Sequence, residues 1–340
     1  MVLLMRTERI VVDPLSPDPA ALAHAAALLK SGKLVVFPTE TVYGLGAHAL
    51  DPQAVLRIYE AKGRPTNNPL IVHVAETDQA RQLTRAWPDR AQRLAERFWP
   101  GPLSLVLTKQ SHVPDAVTAG SPTVALRIPV HPVARQLLVA AGLPIAAPSA
   151  NRSTRISPTS AEHVLAGLDG RVDLVLDAGP TPGGLESTVV DLTSDPPRLL
   201  RPGLVALAEL EAALEETIAG PATNVDQHRA LPSPGMLARH YAPLVPVECL
   251  TNDGWQRVSE LAAAGKRVGW LAWGWPRQPA PATTTLIWLP TNVEQYSARL
   301  YAALHAFEAA GVEQIVAALP PDEPAWLAVR DRLARASARE

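Results

Sequence analysis

Helical and strand patterns alternate in short units between about residue 20 and residue 210, and this alternation constrains the fold more than anything else in the chain. Residues 20–30 are rich in Ala and Leu and end at Ser31-Gly32, which predicts a helix. Leu34-Val35-Val36-Phe37 follows as a buried strand, stopped by Pro38. Asp51 reads as an N-cap, with Pro52 in the first turn of a helix over 51–61. Further strands are predicted at 70–74, 103–108, 124–129, 145–147, 174–176 and 188–192, with helices at 89–98, 131–141 and 159–167. Strands interleaved with helices define an α/β layer architecture, with mixed rather than purely parallel pairing.

Between 218 and 246 the texture changes. Gly220, Pro221, Pro232, Pro234, Gly235, Pro243 and Pro246 interrupt any regular element, which predicts an extended linker. Beyond it, strands at 267–273 and 315–319 and helices at 293–310 and 325–336 predict a second, smaller α/β domain. The expected division is a first domain over 14–210, a Pro-rich linker over 218–246 and a C-terminal domain over 247–340. A length of 340 residues fits two such domains.

Composition narrows the function classes. A formal charge of −2 argues against a protein held to nucleic acid mainly by phosphate neutralisation, so no direct stable nucleic-acid binding is expected. Cys249 is the only cysteine, which excludes an intrachain disulfide and a Cys-rich zinc site; it reads as a core residue. The histidines show no pair at the spacing of a helical metal site, so no protein-bound structural metal is expected. Met1-Val2-Leu3-Leu4-Met5 is apolar but stops at Arg6, too short for a signal sequence or a membrane span. A cytoplasmic protein is the default expectation.

Lys62-Gly63-Arg64-Pro65, followed by Asn68-Pro69-Leu70, sets two cations and an amide between prolines just ahead of an apolar strand ending in His73. Proline stiffens the backbone, and glycine between the cations is read as room for a bulky anion. Fixed cations suit a polyphosphate, although a lone segment of this kind is more often a solvated turn. Strand periodicity supplies the company that changes the reading. Val124, Leu126 and Ile128 share a core face, whereas Thr123, Ala125 and Arg127 share the other, where the guanidinium can hold a carboxylate. Leu70, Val72 and Val74 likewise oppose Ile71 and His73.

Ser149-Ala150-Asn151 leaves a strand with short polar side chains, and Gly183 to Thr188 places Ser187 at another strand's mouth. Arg201-Pro202-Gly203 adds a cation at a strand end. Pro38 to Gly46 has glycines spaced as in a nucleotide loop, yet neither a full Gly-x-Gly-x-x-Gly nor a P-loop is present. Hydroxyls, amides and cations dominate these ends, with no paired carboxylates standing out. The residues alone therefore describe an α/β enzyme that handles a nucleotide or another anion by stabilising charge on phosphorus.

These motifs, together with Trp99-Pro100-Gly101-Pro102-Leu103, Arg127-Ile128-Pro129, Ser157-Pro158-Thr159, Ser233-Pro234-Gly235-Met236 and Arg239-His240-Tyr241-Ala242-Pro243, resemble the threonylcarbamoyl-AMP synthase family in its two-domain form. The resemblance implies a YrdC-like twisted mixed sheet with a large concave cleft, plus a Rossmann-like C-terminal domain. It implies that L-threonine, bicarbonate and ATP, with Mg²⁺, give threonylcarbamoyl-AMP and pyrophosphate, which downstream threonylcarbamoyl transferase proteins use on tRNA. By the same resemblance Lys62 and Arg64 are the catalytic cations. ATP is held by Lys62, Arg64, Asn68, Thr123, Ser149, Asn151, Ser157, Arg201 and Tyr241. Threonine is held by Thr41, His73, Arg127, Ser187 and Ala147, the last through its backbone. Residues 239–241 of the linker are expected to close over the site. Thr154 stands where relatives often carry glycine.

Two rivals come from neighbouring ideas. A non-catalytic RNA-binding YrdC-like module is disfavoured by the charge balance and by the second domain. A carbamoyl transferase of the hydrogenase-maturation type is expected to need zinc-finger and acylphosphatase-like segments, for which the cysteines are lacking.

Overall fold

The structure, a computed structural model, describes residues 6–220, 231, 233, 235 and 239–338. Its chain divides into two compact units, one of Met1–Ser153, Pro158–Pro182 and Glu186–Met236, the other of Thr154–Ser157, Gly183–Leu185 and Leu237–Glu340. Of the linker expected at 218–246, residues 221–230, 232, 234 and 236–238 lie outside the described residues, as does the Met1 to Met5 segment.

Strands β1 (Glu8–Val11), β2 (Val35–Phe37), β3 (Gly44–His48), β4 (Ile71–His73), β5 (Leu103–Thr108), β6 (Thr123–Arg127), β7 (Ile145–Ala146), β8 (Leu174–Asp177), β9 (Thr188–Asp191) and β10 (Arg198–Arg201) build the first unit. They form one sheet in the order β1-β8-β2-β3-β7-β4-β6-β5-β9-β10. Pairing is mixed, as the alternation predicts: β4 and β6 run parallel, while β4 and β7, and β5 and β6, run antiparallel.

Period-two alternation sorts the sheet into two faces. Val36, Leu45, Val72, Leu105, Leu126, Ala146, Val175 and Val190 all enter one core. Helices Pro52–Lys62, Asp89–Phe98, Ala161–Leu168 and Leu207–Leu214 cover that face with Ile58, Leu94, Val164 and Leu210. The opposite face carries a second core over β1, β2, β7 and β8, where Ile10, Val35, Phe37, Ile145, Leu174 and Leu176 pack under helices Pro19–Lys30 and Pro132–Ala141. Along β4, β5, β6 and β9 the same face presents Ile71, His73, Ser104, Val106, Ala125, Arg127 and Val189, which belong to neither core. They are nonetheless buried. This half-face, with polar groups where the other half carries only apolar ones, is what the fold provides for chemistry.

One motif folds differently from the sequence expectation. Pro38 to Gly46, whose glycines are spaced as in a nucleotide loop, ends in the first three residues of β3, Gly44 to Gly46, which pair antiparallel with β2. A Cβ on Gly46 would lie 2.8 Å from the Phe37 ring and 2.9 Å from Ile145, so this glycine permits close strand packing rather than approach to a phosphate. Gly63 also departs from its expected role. It ends helix Pro52–Lys62 in the left-handed region at φ 62°, its N–H donating to the Glu60 and Tyr59 carbonyls.

The second unit holds β11 (Val247–Leu250), β12 (Val268–Trp273), β13 (Thr284–Leu289) and β14 (Gln314–Ala318). They form an all-parallel sheet ordered β11-β14-β12-β13, as a Rossmann-like domain requires. Val258, Leu261, Trp270 and Val316 share its core. Thr154, grouped with this unit, adopts φ 64°, a backbone state that glycine reaches without strain and a β-branched residue does not.

Candidate active site

Arg127 is the hub of this half-face. The parallel register sets it beside His73 on the neighbouring strand, and its side chain is almost fully buried. Its Nε donates to the Gly101 carbonyl at 3.2 Å and its Nη1 to the Thr41 hydroxyl at 3.0 Å. Nη2 lies 2.6 Å from Glu40 Oε1, close enough for an ion pair but poorly aligned for a hydrogen bond. Thr41, His73 and Arg127, expected from sequence to hold one ligand, are therefore gathered at one place. A Thr39–Thr41 hydroxyl contact of 2.7 Å fixes the loop that carries Glu40.

Burial, reinforced by the Arg127 charge, pushes the His73 imidazole down to about 3, so the ring is neutral near pH 7. It can donate or accept a hydrogen bond but adds no second cation beside Arg127. Because the folded-state value lies below the ordinary 6.5, the unfolded chain takes up the proton first as pH falls. His305 of the second unit, pushed down to about 4 chiefly by burial, acts in the same direction. Stability is thus whole above about pH 6.5 and declines toward pH 4, by up to about 1.4 kcal/mol per pH unit for each histidine. Thermal melts recorded across this range are expected to show that slope, and His73→Gln to make it shallower; an unchanged slope would contradict a neutral buried His73.

The cationic loop closes on itself. Arg64 Nε donates to the Asn68 carbonyl at 3.0 Å, and Nη2 to Asn68 Oδ1 at 2.5 Å and the Pro69 carbonyl at 2.7 Å. Stiffness at 64–69 comes from these bonds as well as from the prolines. Lys62 Nζ donates to the carbonyls of Ser149 at 2.6 Å and Asn151 at 2.5 Å, and to Asn151 Oδ1 at 3.2 Å. Desolvation, with Arg64 and Arg152 nearby, draws the Lys62 ammonium well below its ordinary range. Lys62 therefore ties the end of a helix to the Ser149-Ala150-Asn151 turn, and the Ser149 hydroxyl completes the knot on Asn151 Oδ1 at 2.5 Å.

Ser187 is positioned at the mouth of β9 by Ser104, hydroxyl to hydroxyl at 2.8 Å, and by Arg201, whose Nη2 reaches its carbonyl at 2.9 Å and its hydroxyl at 3.1 Å. Gly203 makes this crossing possible, since a Cβ there would lie 2.4 Å from the Thr188 nitrogen. Thr123 contacts the Ser121 hydroxyl at 2.8 Å. Ala147 donates its N–H to the Ile71 carbonyl at 2.9 Å, so that donor is already engaged in the sheet. Ser157 and Tyr241 belong to the second unit. There the Ser157 carbonyl meets His305 Nε2 at 3.2 Å, and the Tyr241 ring stacks on Tyr301 under the Arg332 guanidinium.

Several buried polar atoms of the first unit have no aligned hydrogen-bond partner among the described residues: both Glu40 oxygens, Asn68 Nδ2, His73 Nδ1 and Arg127 Nη2. Native interiors satisfy nearly all such groups, and those of Glu40, His73 and Arg127 lie together, where they could meet a polar ligand. Glu40 and Ser104 were not expected from sequence. A lone carboxylate inside Pro38 to Gly46 has no local partner to reveal it, and Ser104 is one polar residue within an apolar strand.

A mixed sheet that carries polar groups on one half-face, and an all-parallel Rossmann-like unit, define a two-domain α/β protein of the YrdC type. Residues 27–203 match the family model described as Telomere recombination (Sua5, YciO, YrdC), and residues 205–338 that described as Threonylcarbamoyl-AMP synthase, C-terminal domain. Threonylcarbamoyl-AMP synthase of Pyrococcus abyssi is 44% identical over 320 residues, covering 92% of this chain and 93% of the relative. That of Bacillus subtilis is 42% identical over 346 residues, covering 98% of each. The crystal structure of P. abyssi Sua5 complexed with L-threonine matches with a TM-score of 0.90 at 42% identity, covering 97% of this chain and 98% of that one. The chain belongs to the threonylcarbamoyl-AMP synthase family.

Proposed function

We propose that this chain condenses L-threonine, bicarbonate and ATP into threonylcarbamoyl-AMP and pyrophosphate. The observation that carries the reading is Arg127, a buried guanidinium with an unaligned Nη2, beside neutral His73 and the Thr41 hydroxyl. Such a group takes a carboxylate with charge-assisted hydrogen bonds, and a relative has been solved with L-threonine bound. With the carboxylate on Arg127, the amine is left to accept the carbon of bicarbonate. The resulting carbamate oxygen attacks the α-phosphorus of ATP, and pyrophosphate leaves.

Nucleotide contacts are proposed for Lys62, Arg64, Asn68, Thr123, Ser149, Asn151 and Arg201. Asn68 Nδ2 is the clearest of these, a buried donor with no acceptor among the described residues. Ser157 and Tyr241 rest on the family resemblance. Magnesium enters as part of the ATP substrate, on its phosphates. The product is an acyl adenylate, and the reading gives it to separate transferases that modify an adenosine of tRNA, in the cytoplasm. Mass spectrometry of the product from ATP, bicarbonate and isotopically labelled threonine, with no RNA present, is the test. The reading expects a labelled threonylcarbamoyl-AMP and one pyrophosphate per turnover. Pyrophosphate release that ignores threonine would refute it.

A further inference from the structure

We propose that Glu40 is the proton acceptor for the threonine amine when the carbamate forms. The proposal rests on the synthase reading and assigns a residue to a step which that reading leaves without one. Glu40 is 8% exposed, and neither carboxylate oxygen has an aligned donor among the described residues. It sits 2.6 Å from Arg127 Nη2, the nitrogen whose N–H groups make no aligned hydrogen bond among the described residues and are the ones proposed to meet the substrate's carboxylate. A zwitterionic amino acid carries its ammonium two bonds from its carboxylate carbon. A guanidinium and a carboxylate held side by side therefore match both ends of it. If Glu40 served only to neutralise Arg127, an aligned ion pair would be the expected geometry.

The chemistry calls for such a group. Threonine ammonium and bicarbonate together give the carbamate, one water and one proton. The amine must lose a proton before its lone pair can bond to carbon, and the ammonium is the dominant form at neutral pH. In the proposed step Glu40 takes that proton, the nitrogen lone pair forms the N–C bond as the C–OH bond of bicarbonate breaks, and the hydroxyl leaves as water with the second proton given up by the nitrogen. The charged and titratable groups against Glu40 are Arg127 and His131. Burial draws the His131 imidazole below its ordinary value, with Glu40 opposing. His131 Nδ1 is engaged by the Val133 N–H at 3.2 Å.

The test compares both reaction directions in Glu40→Gln, with Glu40→Asp as the variant that keeps an acid. In the forward direction, Glu40→Gln is expected to lose about 100-fold in kcat. It should recover as pH is raised from about 7 to 9, because the neutral amine then forms in solution, whereas the wild type stays nearly flat. Glu40→Asp is expected to retain the wild-type pH profile at reduced rate. The reverse direction, ATP formation from threonylcarbamoyl-AMP and pyrophosphate, transfers no amine proton, so Glu40→Gln should slow it far less than the forward reaction. Equal slowing in both directions, or a forward loss that pH does not restore, would overturn the proposal and leave Glu40 as a support for Arg127. A wild-type chain that formed no ATP in reverse would remove the synthase reading itself.

Discussion

Arg127→Ala is expected to lower kcat/KM for threonine by at least about 1,000-fold, the loss of two charge-assisted hydrogen bonds to a carboxylate. It is also expected to destabilise the first unit by roughly 3–5 kcal/mol, because Glu40 is left charged, buried and unpaired. The two effects can be separated. In Arg127→Met combined with Glu40→Gln the pair becomes neutral at similar volume, which often restores stability. That double variant should regain its melting temperature and remain inactive. Recovery of threonine-dependent turnover in it would mean that the carboxylate is held elsewhere.

Lys62→Met should be nearly as damaging, but through ATP. Removing the ammonium leaves the Ser149 and Asn151 carbonyls and Asn151 Oδ1 without their shared donor. Each buried acceptor left unsatisfied costs about 1–3 kcal/mol, and the turn can relax only by moving. A stability loss of roughly 2–4 kcal/mol and a rise of about 100-fold in KM for ATP are expected, with threonine affinity little changed. Threonine affinity can be read by calorimetry and KM from pyrophosphate release. A variant that bound ATP normally would show that the Ser149-Ala150-Asn151 turn takes no part in the nucleotide site.

Part of this was legible in the chain because strand periodicity is local. Alternation alone places Val124, Leu126 and Ile128 in the core and Arg127 on the other face, and the structure has them so. What alternation cannot supply is register. Setting His73 against Arg127 needs β4 and β6 paired parallel with no residue slipped, and Thr41 reaches the same guanidinium from 86 positions away. The glycines were the least legible signal. Gly63 and Gly46 suggest approach to an anion, yet one caps a helix at positive φ and the other lies under Phe37 and Ile145. Both uses need a missing Cβ, and only the tertiary neighbours tell them apart. Glu40 was hidden for a related reason, since a carboxylate becomes informative only once its burial and its distance from a cation are known.

A crystal structure of the protein with L-threonine and a non-hydrolysable ATP analogue bound together tests the central claim most directly. The expected result places the threonine carboxylate on Arg127 and its amine beside Glu40, with the α-phosphorus close enough for a carbamate oxygen to reach it in line, at about 3–3.5 Å. Threonine bound away from Arg127, or adenosine lodged only in the second unit, would contradict it.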